Sequence, residues 1–422
     1  MKRIVELLRR DSAYLITAAN FIAIALSFAT APIVARAIGP DGRGETAAAL
    51  AAFAVVPVIM ALGLPLELRR RAATSQSDDA VRAARDLAGA ALVPSIAIAA
   101  LLVSTVFAPL DSLSKILVVV GVSLSPLVIS WSSDTGTLVG RGRFRAVLIL
   151  RITQPLIFFI GALAEWLSGS LTVPVVLGVN IAATIATAVI GALFVRVSLR
   201  GERASHTDLL RKSVRFAGSS VAEAASNRLD QVIALPLIGA FDAGLYSAAA
   251  SIAALPLGLG HALGAAEFRA VAMHAAEGPA ETVNRGIRSA ISATLIACLG
   301  LAVVTPWLVP LLFGASFSGS IVPTLICLVG SLGLTVGYVA SMMLAAQGRG
   351  SVMTVAQVTC LTVNIALLFA LAPWLGAVGA AIASSAAFLV LLVILTIALR
   401  VRPQSLIPTA TGVREAVRTL FR

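Results

Sequence analysis

The polar residues most able to do chemistry crowd between positions 219 and 231. There Ser219, Ser220, Glu223, Asn227, Asp230 and Gln231 recur at helical spacing in a run that is otherwise mainly Ala, Val, Leu and Ile. A charged side chain at mid-helix in lipid costs about 2.5 to 3.5 kcal/mol on insertion scales, so each one needs a cavity, a partner or a function. This face is therefore expected to line water or another part of the molecule. Two hundred residues earlier, Asn20, Ser27 and Thr30 occupy the places of Ser220, Asn227 and Asp230. The two stripes are expected to face each other across a polar cleft. Arg228 projects away from the acidic stripe of its own helix, toward a carboxylate elsewhere or a cavity rim. Asp134, Arg151, Gln154, Asn180 and Asn364 are further polar groups inside apolar runs.

What these residues offer is binding and transport. There is no His/Cys/carboxylate cluster at metal spacing, no phosphate loop ending in Lys-Ser or Lys-Thr, and no nucleophile elbow, so neither catalysis nor a cofactor is expected. Cys298, Cys327 and Cys360 lie inside apolar stretches and read as small buried hydrophobes. His261 reads as a polar group near a helix end.

The elements that must position these groups are membrane spans. With 59% of its 422 residues hydrophobic and 12% charged, the chain is too apolar for a soluble domain of this size. About 20 apolar residues cross a bilayer, and such runs cover 13–35, 46–66, 87–108, 116–138, 146–167, 172–195, 214–238, 243–266, 287–312, 319–345, 351–374 and 376–399. The expected fold is all-α and polytopic, with about twelve transmembrane helices. The first run is too long for the core of a cleaved signal sequence and is expected to be a retained helix.

A net charge of +12 would suggest nucleic acid in a soluble protein, but here the arginines sit in short loops and report topology. If the N-terminus is cytoplasmic, 27 of the 32 Lys and Arg residues fall in cytoplasmic gaps or tails. Only Arg36, Arg43 and Lys115 fall outside, and Arg151 and Arg228 lie within helices. Both termini are therefore expected in the cytoplasm, and no nucleic-acid partner is expected.

An internal repeat organises the chain. Ile38-Gly39 and Gly44 recur as Ile238-Gly239 and Gly244, and Glu67-x-Arg69 recurs as Glu267-x-Arg269, all at an offset of 200. Gly140-Arg141-Gly142 with Trp166 echoes Gly348-Arg349-Gly350 with Trp374 at 208. The expected domains are an N-terminal lobe at 1–200, a C-terminal lobe at 201–400 and a basic cytoplasmic tail at 401–422. Six spans per lobe insert both in the same orientation, as in transporters with alternating access.

Several motifs together resemble one family. They are Arg36-Ala37-Ile38-Gly39-Pro40 through Gly44, Asn227-Arg228-Leu229-Asp230, Gly244-Leu245-Tyr246-Ser247, Leu311-Leu312-Phe313-Gly314 with Phe317, Gln347-Gly348-Arg349, and Gly376-Ala377-Val378-Gly379-Ala380-Ala381. Over nearly its whole length the chain resembles the bacterial polysaccharide or O-antigen flippases of the multidrug/oligosaccharidyl-lipid/polysaccharide exporter superfamily. The segment Pro109-Leu110-Asp111-Ser112-Leu113 departs from the pattern, lacking the Phe-Gly element found after span nine.

The resemblance implies an inner-membrane protein that moves an undecaprenyl-diphosphate-linked oligosaccharide to the periplasmic leaflet by alternating access, for lipopolysaccharide or exopolysaccharide biosynthesis. Arg228, Arg36 and Arg151 would attract the diphosphate, and Asn227, Gln231, Asn20 and Gln154 would meet sugar hydroxyls. Asp230, Glu223 and Asp134 would couple passage to H+ or Na+, as in an antiporter. Membrane lipid would hold the tail, and a polysaccharide polymerase and glycosyltransferases are the implied partners. Alternatives are a cation-coupled multidrug exporter, favoured by the acidic stripe, and the lipid II flippase, which commonly has two more helices. A membrane glycan polymerase or ligase would usually need a long external loop, and no external gap here is long.

Overall fold

The computed structural model describes residues 14–74, 78–198, 200–273 and 280–420, and the regular structure among them is helical. Lys2, Arg3, Arg9, Arg10 and Arg422, counted above toward orientation, lie outside the described residues, as does the side chain of Ser219.

Three helices are about twice as long as one crossing requires: α1 (Tyr14–Ala61), α9 (His206–Ala253) and α13 (Gly350–Ala398). A straight helix of 48 residues would run about 72 Å, against a hydrocarbon core of about 30 Å. Each must turn, and each contains one non-helical residue: Gly39, Gly239 and Gly376, with φ of 67°, 78° and 56°. Glycine adopts positive φ without the steric penalty of a Cβ. At Gly39 the following Pro40 opens the next arm with its φ already set. The sequence left gaps at 36–45 and 239–242, yet the chain turns there on single glycines and needs no loop.

The other helices are α2 (Leu64–Thr74), α3 (Asp78–Ala90), α4 (Leu92–Thr105), α5 (Ser112–Ser123), α6 (Ser125–Gly140), α7 (Phe144–Leu167) and α8 (Val173–Val195). Beyond α9 come α10 (Leu257–Met273), α11 (Ala280–Phe313), α12 (Ile321–Ala346) and, after α13, α14 (Ala410–Leu420). Eight helical runs among the described residues are long and apolar enough to cross a membrane, and α5 with α6, bent by 40°, makes a ninth. Splitting the three double-length helices at their glycines gives the twelve crossings expected. The second crossing ends earlier than expected, because Leu62 and Gly63 take positive φ and start α2 on a new axis.

The chain forms two compact units, one of residues 1–38 and 45–236, the other of 39–44 and 237–422. Thus the stretch of α9 up to Pro236 packs in the first unit. That unit's core joins Leu64, Leu68, Ala84, Ile129, Val147 and Leu150 with Leu209 of α9. The second joins Leu263, Ile287, Val336, Met343, Leu391 and Ala416. Close approach in lipid rests on small residues, since lipid tails are as apolar as leucine. A Cβ on Gly136 would strike the Pro65 carbonyl, and one on Gly333 the backbone at Phe388. Large apolar side chains instead face outward, among them Val93, Leu167, Leu193, Trp307, Leu311 and Trp374. The three cysteines are buried and free.

The repeat is visible in the backbone. Gly39 (φ 67°, ψ −176°) and Gly239 (φ 78°, ψ 169°) share one rare conformation at the offset of 200. The later echo holds in a different register. Gly142 and Gly348 have φ of 70° and 71°, and the next residues, Arg143 and Arg349, donate to the carbonyls of Phe194 and Ala398. Gly142-Arg143 therefore corresponds to Gly348-Arg349, not Gly140-Arg141, because the local turn rather than the tripeptide is repeated.

Candidate functional site

The polar stripe on α9 divides once its surroundings are fixed. Glu223, Asn227 and Arg228 are exposed, Gln231 is half-buried and Asp230 is buried. Asp230 Oδ1 accepts the Gln231 N–H at 2.8 Å. The side chains of Glu223 and Arg228 make no hydrogen bond or ion pair among the described residues. Arg228 is thus an exposed cation whose charged neighbour is Asp230, two residues on in the same helix. Arg36 is also exposed.

Asn364, in the second unit, is buried with its Oδ1 lacking a hydrogen-bond partner among the described residues, and the remaining candidates fall into three groups inside the first unit. Arg151 Nη1 donates to Asn20 Oδ1 at 2.6 Å, so two residues named separately from the sequence form one pair. Gln154 Nε2 donates to Thr184 Oγ1 at 3.1 Å. Gln154, Thr184, Asn180, Ser132 and Ser220 line a cavity of about 410 Å3 whose other walls are largely apolar, including Phe53, Pro57 and Trp131. Asp134 is buried with its Oδ1 3.6 Å from Arg85 Nη2, while its Oδ2 has no hydrogen-bond partner among the described residues. Gly191 leaves room for that oxygen.

A cluster not anticipated from the sequence lies where α2 meets the start of α9. Glu67, 1% exposed, accepts two bonds of 2.8 Å from Arg70 and one of 2.9 Å from Arg71. Arg71 also reaches Asp208 at 3.1 Å, and Asp208 holds Lys212 at 2.9 Å. The Arg70 bonds, working against burial, hold the Glu67 carboxyl below its usual range, and the Lys212 bond does the same for Asp208. The two helices touch backbone to backbone at Gly63, where a Cβ would collide with Ser213 and Ala217. Counting these arginines only as topology markers hid the cluster. The signal was present, since Arg70 and Arg71 stand three and four residues after Glu67, on its own helical face.

The twelve apolar crossings and the internal repeat fit a membrane-protein family, and a family model identifies it. The chain belongs to the polysaccharide biosynthesis protein family. The match covers residues 8–268. Among solved structures, the fold is similar to the lipid II flippase MurJ in an inward closed conformation, at a TM-score of 0.76 and 12% identity over 97% of this chain and 92% of that one. It is also similar to an inward-facing multidrug resistance MATE family transporter of the MOP superfamily, at 0.69 and 14% over 94% and 96%. A MOP superfamily transporter from Pyrococcus furiosus Vc1 (DSM3638) follows at 0.57 and 15% over 96% and 99%. No curated protein sequence matches the chain. At these identities the likeness establishes the two-lobed transporter fold of a multi-pass membrane protein.

Proposed function

We propose that this protein carries an undecaprenyl-diphosphate-linked oligosaccharide from the cytoplasmic to the periplasmic leaflet of the bacterial inner membrane, for surface polysaccharide biosynthesis. Family membership carries the reading: the polysaccharide biosynthesis family supports a glycan cargo, and the fold similar to that of a lipid II flippase supports movement between leaflets. The lipid tail stays in the bilayer while the polar head follows a hydrated path. On this reading both termini are cytoplasmic, the repeat halves 1–200 and 201–400 act as the two moving lobes, and 401–422 is a cytoplasmic basic tail. A polymerase and glycosyltransferases act before and after the flip.

Arg228 is the leading diphosphate contact because it is exposed and makes no ion pair among the described residues, Asp230 being its charged neighbour, with Arg36 second and Arg151 third, its charge already directed at Asn20. Asn227, Gln231, Asn20 and Gln154 suit sugar hydroxyls. Glu223 and Asp230 are the proposed sites of H+ or Na+ coupling. Asp134 is the weaker coupling candidate, since Arg85 already balances part of its charge.

The direct test uses proteoliposomes holding fluorescent lipid-linked oligosaccharide and a membrane-impermeant quencher. The protein should make label from the inner leaflet quenchable, and Arg228→Gln should slow this at least tenfold. If wild-type protein leaves the inner leaflet protected, the function is wrong. The acidic stripe favours a second reading, a cation-coupled multidrug exporter. Increased drug sensitivity on deletion, with normal surface glycan, would decide for it.

A further inference from the structure

The cluster at the junction of α2 and α9 borders a cavity of about 330 Å3 lined by Glu67, Arg70, Lys212, Arg215 and Phe216. The geometry points to this cavity as a docking cradle for a diphosphate anion, through Arg70, Lys212 and Arg215, on the face from which cargo is loaded. This rests on the flippase reading for the identity of the diphosphate carrier.

The charge balance is the first support. Arg70, Arg71, Arg211, Lys212 and Arg215 stand against two carboxylates, Glu67 and Asp208, a surplus of three positive charges. Arg215 makes no ion pair or hydrogen bond among the described residues. Preorganisation is the second. Glu67 is buried beneath Arg70 and fixes it through two bonds, and Asp208 fixes Lys212, so both cations meet a ligand with little left to order. Their supporting helices are clamped at Gly63. A guanidinium presents paired donors that match phosphate oxygens, and an ammonium adds a point charge.

The second unit supplies a comparison of its own. There Glu267 holds the place of Glu67, but Ala270 and Val271 follow it where Arg70 and Arg71 follow Glu67. The short helix α14 packs against α10 and α11 and brings Glu415 within electrostatic range of Glu267. Basic residues needed only to fix orientation would serve equally in either half. Here they are gathered around a cavity in one, while in the other Glu267 has Arg285 and Glu415 as its charged neighbours and no arginine three or four residues on.

The carrier could be the cargo or an ordinary phospholipid headgroup, which share phosphate chemistry. A diphosphate diester carries two charges and a phospholipid phosphodiester one, and the surplus favours the former. The test uses full-length protein in nanodiscs of purely zwitterionic phospholipid, titrated with inorganic pyrophosphate and followed by calorimetry. Pyrophosphate should bind at least about tenfold tighter than orthophosphate. Binding should weaken at least about tenfold in the triple variant Arg70→Gln/Lys212→Gln/Arg215→Gln. The charge-keeping pair Lys212→Arg/Arg215→Lys should retain it, which separates lost charge from lost fold. Arg269→Gln, on the second unit, should change nothing. Unaltered binding by the triple variant overturns the cradle. So does complete competition by phosphatidylglycerol added to the nanodiscs, which would assign the cavity to bulk lipid. If pyrophosphate binds as expected but wild-type protein moves no lipid-linked oligosaccharide, the cradle stands and the flippase reading falls.

Discussion

Glu67 and Glu267 show how far residue identity constrains residue chemistry. Each lies one position beyond an apolar run, at matching places in the repeat. The bonds from Arg70 keep Glu67 ionised. Glu267 has no such arginine, and burial pushes its carboxyl up to about 7, with Arg285 opposing the shift and Glu415 adding to it. The signs of their pH effects therefore differ. A lowered folded-state value means that Glu67 adds stability at neutral pH, lost as pH falls through that value, below 4.5. A raised one means that Glu267 costs nothing in acid and removes stability as pH climbs from 4.5 through about 7. Melting curves of purified protein from pH 5 to 9 should show Glu267→Gln flattening the alkaline fall, worth up to about 3 kcal/mol at the top of the range. Glu67→Gln should instead reduce stability at pH 7 by roughly 1–3 kcal/mol, seen as a lower midpoint and discounted because Arg70 is half exposed. A midpoint for Glu267→Gln that tracks wild type across the whole range would remove this account. The glutamates and their spacing were legible in the sequence. What was not legible was Glu415, because a contact from a distant helix leaves no local pattern.

At the scale of elements, the twelve runs were readable because a bilayer demands about 20 apolar residues each time, and only their joints were misjudged. The gap at 36–45 contains Gly, Pro and charged residues that read as a loop, yet the residues after Gly39 are helical and enter a close crossing. A Cβ on Gly44 would fall on the Ala240 carbonyl, and a Cβ on Gly244 on the Pro40 carbonyl. The two contacts are reciprocal at the offset of 200, so one approximate twofold relation makes both. The motif was visible as a repeat, but spacing alone does not show that two copies touch. Gly44→Val and Gly244→Val should each cost about 1–3 kcal/mol by overpacking. Because they spread the same crossing, the double variant should cost clearly less than the sum. Thermal melts of the three variants measure this, and full additivity would mean that the glycines act independently.

For the whole molecule, composition points to lipid as the solvent, the proposed orientation rests on the spread of charge, and the proposed cargo rests on family membership alone. Phosphates and hydroxyls are recognised by arginines, amides and hydroxyls that look the same whatever lipid they serve. The stripe on α9 marked this limit: its six polar residues suggested one wet face, whereas Asp230 turns into the protein and Glu223 and Asn227 face outward. The proposed coupling roles therefore fall on two different settings, an exposed carboxylate at Glu223 and a buried one at Asp230. Removing both charges should leave the fold intact, because Asp230→Asn keeps a side-chain oxygen to accept the Gln231 N–H and Glu223 makes no ion pair among the described residues. In proteoliposomes, Asp230→Asn with Glu223→Gln should still bring lipid-linked oligosaccharide to the opposite leaflet when it is downhill, but an imposed proton or sodium gradient should no longer speed it. Arg228→Gln should slow movement in both conditions, since it removes the proposed cargo contact and not the proposed coupling. If the double variant keeps its full response to the gradients, the energy enters somewhere other than α9, and Asp134 with Arg85 becomes the next pair to neutralise.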